Sequence, residues 1–218
     1  MGFDITRGLA VLVPLVLSLS VHEWAHAWSA WRLGDDTAAR QGRLTLNPLA
    51  HVDPFGTFLL PFLLASQGLP AFGWAKPVPV DPTRFRRDVT MGKGMAITAS
   101  AGPLSNVILA VLATVGLGLV YRLQGGDSGI GHAAAVFLSD AILLNVALAL
   151  FNLIPVPPLD GSRIVAWLVP YRFRHQWHAV EQYAPFLLLA VFFFGGRLIA
   201  GPAGAVVGLL ERLLNVIA

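Results

Sequence analysis

Along its length the chain alternates long apolar stretches with shorter polar sections. Residues 8–21, 107–121 and 133–156 are apolar apart from sparse polar positions, and each run approaches the roughly 20 residues a helix needs to cross about 30 Å of hydrocarbon. The pattern predicts helices over about 8–33, 94–122 and 133–153, with a polar section over 34–93 and the short loop QGGDSGIG after the second helix. The third helix should stop at the PVPP cluster at 155–158, because proline removes amide donors and disfavours helical geometry in the residue before it. At the C-terminus, apolar runs 184–196 and 198–216 are interrupted by Gly195, Gly196, Arg197 and Pro202. One span plus a shorter return or interfacial helix fits that pattern.

The apolar stretch 55–66 is too short to span and carries Pro61, so a re-entrant or interfacial segment is expected there. Residues 43–46 and 75–80 alternate like short strands, the second an edge strand at best because of Pro77 and Pro79. The expected fold is an all-α polytopic membrane protein with short β-strands and a re-entrant segment. Residues 1–180 form a core and 181–218 the C-terminal membrane or interfacial helices. No repeat stands out, and no stretch of about 80 residues is left for an appended module.

Composition strengthens the membrane reading. Of 218 residues, 56% are hydrophobic and only 12% charged, and the mean hydropathy is +0.67, too apolar to hide in one soluble core. The net charge of +3 is better explained by orientation than by nucleic acid. Eight Lys and Arg fall in 32–93 and three in 161–180, against Arg7 and Arg122 in the flanking sections, which places the basic sections in the cytoplasm. Cysteine is absent, which removes disulfides and thiolate metal sites. The first apolar run has no small-residue cleavage pattern after it and reads as a retained span.

Within the first helix, His22-Glu23-Trp24-Ala25-His26 puts two imidazoles four apart on one helix face. They can share one zinc ion while the glutamate reaches a metal-bound water. At 1.5 Å per residue His22 lies roughly 15 Å deeper than Arg32, where ionisable groups are costly unless they serve a site. A third ligand is needed. Asp160, after the proline break, is the candidate, since irregular backbone at depth is tolerated where protein or a watery cavity surrounds it. Gly102, Pro103 and Ser105 suit close helix packing, with site support as the alternative for Gly102 and Pro103. Asn106, about as deep as His22, is a candidate for substrate or site support. His51 and Asp53 either cap a turn or bring His51 toward the metal. His132, His175 and His178 read as solvated.

HEWAH, SAGPLSN at 100–106 and FNLIPVPPLDG at 151–161, in that order, resemble the site-2 protease family of intramembrane zinc metallopeptidases. GRLTLNPLAHVDPFGT and GWAKPVPVDP resemble its minimal members, which lack PDZ and CBS domains. The resemblance covers roughly 8–163. It implies one zinc held by His22, His26 and Asp160, with Glu23 as catalytic base. Asn152 would be a second catalytic residue, positioning substrate or stabilising the oxyanion. The implied activity is peptide hydrolysis in or near a transmembrane segment of a membrane protein, with the site opening toward the cytoplasm of a prokaryotic cell. The expected partners are that substrate and the lipid bilayer; homo-oligomerisation stays open. A non-proteolytic, membrane-embedded zinc scaffold is the alternative, and a zinc transporter a more distant one.

Overall fold

A computed structural model describes residues 4–69, 73–124 and 129–218. Four helices are long and apolar enough to cross a membrane: α1 (Ile5–Arg32), α4 (Met91–Gln124), α5 (Gly129–Asn152) and α8 (Ala184–Ile217). The shorter helices are α2 (Thr37–Arg40), α3 (Pro54–Ser66), α6 (Asp160–Leu168) and α7 (Arg174–Glu181). The α1 helix starts where Asp4 accepts the Arg7 amide at 3.0 Å, the usual way an N-cap satisfies a free helix donor. It lies against α3, α4 and α5.

Small residues let the long helices approach. Ala110, Ala113 and Leu117 of α4 meet Ala135, Ala141, Ile142 and Val146 of α5, and Leu210 of α8 closes the cluster. Alanine-rich contacts suit a bilayer, where tight packing rather than water expulsion holds helices together.

The polar section behaves differently from its sequence pattern. No strand occurs among the described residues, 75–80 included. The Trp74 amide donates to the Gly56 carbonyl at 3.1 Å and the Lys76 amide to the His51 carbonyl at 2.8 Å. The Val78 amide donates to Glu23 Oε2 at 2.9 Å. Alternate donors are thus spent on a helix turn, a loop and a side chain, and Pro77 and Pro79 have none to offer, so no ladder forms. Residues 43–46 likewise lie outside any ladder.

The segment expected to be re-entrant or interfacial is helical and too short to span. Pro54–Ser66 is one short helix, capped by Asp53, whose Oδ1 accepts from Phe55 at 3.1 Å and Gly56 at 2.6 Å. It packs along the first half of α1, where the Asp4 amide donates to the Ser66 carbonyl at 2.9 Å. At Gly8 a Cβ would overlap Ser66 Oγ and crowd the Phe62 ring, so glycine permits this approach.

The C-terminal region is one continuous 34-residue helix rather than a span and a return. Gly and Pro202 are tolerated in an apolar helix whose neighbours and backbone adjust around them. A Cβ on Gly195 would sit 3.0 Å from Val191 Cγ1 and 3.7 Å from Ile154, so the expected break is a packing position.

Candidate metal centre

His22 and His26 lie one turn apart on α1, their rings edge to face with centroids 4.6 Å apart. Their Nε2 atoms are 3.0 Å from each other. Asp160, the first residue of α6, brings Oδ2 to 3.2 Å from His22 Nε2 and 3.3 Å from His26 Nε2. All three residues are buried. This is the one cluster of three or more His, Asp or Glu ligand atoms close enough to share an ion among the described residues.

The donor chemistry tests whether a cation fits. His26 Nδ1 lies 2.7 Å from the Thr98 carbonyl oxygen, which only accepts, so Nδ1 carries the hydrogen and Nε2 turns a lone pair inward. His22 Nδ1 lies 2.6 Å from Asn106 Oδ1, also an acceptor. Asp160 Oδ2 has no hydrogen-bond partner. One proton can bridge one pair of these atoms, whereas a divalent cation satisfies all three. Ligands each about 2.0–2.1 Å from a tetrahedral zinc lie about 3.3 Å apart, close to the spacings observed.

The backbone around the cluster explains its glycines. A Cβ on Gly102 of α4 would overlap His26 Nε2 and lie 2.6 Å from His22 Nε2, so it would fill the space an ion needs. Gly161 lets the start of α6 pack on the end of α5, where a Cβ would overlap the Leu153 carbonyl. Pro103 is fully buried beside Gly102, and Ser105 Oγ donates to the Gly102 carbonyl at 2.7 Å.

The remaining expected residues divide. Glu23 is half-buried, its Oε2 held by the Val78 amide. Asn152 closes α5 with its Nδ2 donating to the Leu148 carbonyl at 3.0 Å, and no hydrogen bond or ion pair joins it to the cluster among the described residues. His51 is buried, its Nε2 2.8 Å from the Thr45 carbonyl oxygen; it is not in the cluster. Asp53 is the cap of α3. His132 and His175 are exposed; the His178 side chain lies outside what is described. The sequence reading missed Thr98, Val78 and Asn145. Asn145 gave a signal, an amide inside the otherwise apolar run 141–151 of α5, which is costly unless bonded.

A buried ligand cluster sunk between helices of spanning length is the arrangement of a membrane metallopeptidase. Comparison with known sequences bears this out. The profile of peptidase family M50 matches residues 124–194. The chain is 41% identical over 187 residues to "Putative zinc metalloprotease YwhC" of Bacillus subtilis (strain 168), covering 84% of this chain and 79% of that protein. It is 32% identical over 153 residues to "Putative zinc metalloprotease Rip2" of Mycolicibacterium smegmatis, covering 70% of this chain and 54% of that one. The Rip2 of Mycobacterium tuberculosis (strain ATCC 25618 / H37Rv) is 30% identical over 182 residues, covering 84% and 66%. No solved structure matches. The chain belongs to peptidase family M50, the site-2 protease family its three motifs resemble. It is a zinc metalloprotease and an integral membrane protein.

Proposed function

We propose that the protein is an intramembrane endopeptidase that hydrolyses a peptide bond in or near a transmembrane segment of another membrane protein. In this reading His22, His26 and Asp160 hold one zinc. The observation that carries it is the buried, unpartnered Asp160 Oδ2 facing two imidazole nitrogens beside a helix that carries Glu23.

When bound, zinc supplies Lewis-acid polarisation of the scissile carbonyl and lowers the pKa of a coordinated water. Glu23, next to His22 on α1, takes the proton of the attacking water and delivers one to the leaving amine. The Val78 amide holds one oxygen of that carboxylate, which leaves the other for proton transfer. Asn152 now donates to its own helix; turned toward the substrate, the same amide stabilises the oxyanion. Gly102 keeps the space beside both imidazoles free of a side chain.

A helical substrate hides its amides, so it must be extended before it is cut. The 75–80 segment, which joins no ladder, offers an edge for pairing with such a substrate. The concentration of Lys and Arg in 32–93 and 161–180 supports a site opening toward the cytoplasm of a prokaryotic cell. Cells expressing wild type or Glu23→Gln test the reading. New peptide termini within membrane segments should appear with wild type alone, and equal sets of termini would refute it.

A further inference from the structure

Both imidazoles must present Nε2 inward, and the two are set by different means. For His26 a backbone carbonyl does it in one step, through Thr98. For His22 the partner is a side-chain amide, and an amide can turn over and offer NH2 in place of oxygen. Something must hold Asn106 the right way round.

The hydrogen bonds lead away from the metal centre to a second asparagine on α5. Asn106 Nδ2 donates to Asn145 Oδ1 at 2.8 Å. Asn145 Nδ2 donates to the Ala141 carbonyl at 2.8 Å and to Ser18 Oγ at 2.9 Å. Asn106 is 0% exposed and Asn145 2%, so solvent does not supply alternative partners. The Ala141 carbonyl can only accept, which fixes the NH2 end of Asn145 toward it and the oxygen toward Asn106. Asn106 must then offer its NH2 to Asn145 and its oxygen to His22. An oxygen there requires hydrogen on His22 Nδ1, and the Nε2 lone pair faces Asp160 and His26.

We propose that Asn145 is a positioning residue for the metal centre: anchored on the Ala141 carbonyl, it sets the orientation of Asn106 and, through it, the ring nitrogen that His22 turns to the ion. The inference rests on the reading of His22 as a zinc ligand. Partners behind a ligating histidine set its tautomer and basicity, and here that partner is itself set by another helix. The relay ties α1, α4 and α5 together at the depth of the site, and Ser18 returns it to α1.

The test is a double-mutant cycle on purified full-length protein, reading zinc affinity by chelator competition and the visible absorption of the Co²⁺-loaded form. Thermal stability of the metal-free protein is the control for folding. Asn145→Leu removes the amide at similar volume; Asn145→Ala removes it without added bulk and is run in parallel. Either should weaken zinc binding about 10-fold or more, within the range for outer partners of a ligating histidine, and should alter the Co²⁺ spectrum. In an Asn106→Asp background an oxygen faces His22 whichever way the side chain turns. The same Asn145 changes should then cost less than about 3-fold, near the limit of ordinary additivity. A group that only packs the helices would cost the same in both backgrounds. Equal losses in both, or no loss in either, would overturn the proposal. His22→Ala separates the two readings: if it binds zinc as tightly as wild type, the ligand assignment itself fails.

Discussion

Gly102 on α4 faces His26 on α1 so closely that a Cβ would overlap the imidazole Nε2. The two helices meet at their site-bearing faces with no room for a side chain between them. Gly102→Val should therefore push the helices apart or displace the ring. The expected result is loss of bound zinc and a fall in activity of more than about 100-fold, since even displacing a partner behind a ligand costs 10–100-fold. Zinc content per purified chain checks it, and an unchanged stoichiometry would count against the site as drawn.

Asp160 carries a buried oxygen with no hydrogen-bond partner, facing two imidazole nitrogens. Metal removal should destabilise the fold by leaving that charge uncompensated. Zinc at about 1,000 times its dissociation constant should contribute about 4 kcal/mol, seen as a raised thermal midpoint in detergent. Asp160→Ala should show little of that zinc-dependent rise.

The Val78 amide donates to Glu23 Oε2, across 55 residues of sequence. Val78→Pro removes this donor and lets the carboxylate swing. Activity should fall about 10-fold, the equivalent of one hydrogen bond to a charged group, with zinc binding retained. Steady-state cleavage and metal content measured on one preparation separate the two effects.

Asp53 caps α3 and His51 bonds to Thr45. Asp53→Ala should cost about 1 kcal/mol of stability, the usual value of an N-cap. His51→Ala should leave zinc stoichiometry at one per chain. Metal analysis of both variants checks whether this loop only shapes the site.

Outside the spans, Asp36 pairs with Arg40 at 2.7 Å and Arg84 at 2.9 Å. Desolvation pushes its carboxyl up, but hydrogen bonds and charge from these arginines outweigh it and hold the group below its ordinary value. A lowered folded value means the pairing stabilises above about pH 4 and fades as pH falls through that value. Thermal midpoints of wild type and Asp36→Asn should differ at neutral pH and converge in acid.

The spanning helices were legible because their apolar runs are long, and α1, α4 and α5 follow the expected stretches with ends moved by a few residues. The meeting of His22, His26 and Asp160 was legible because a four-residue histidine spacing and an aspartate after a proline break each have a chemical reason. What lay hidden depends on contacts between distant segments. Residues 75–80 alternate like a strand, yet the Lys76 and Val78 amides go to His51 and Glu23. Gly195 looks like a break but packs against Val191 and Ile154. Asn145 could be flagged as an amide in an apolar helix, but its link to His22 through Asn106 needs three helices in place.

Purified wild type and Glu23→Gln, both loaded with zinc, are compared in proteoliposomes with membrane proteins from the host. New peptide termini are read by mass spectrometry. Cleavage within transmembrane segments by wild type, absent with Glu23→Gln at equal zinc content, is the predicted result. The same termini from both proteins, or none from either, would contradict an intramembrane protease that uses Glu23 to move the proton.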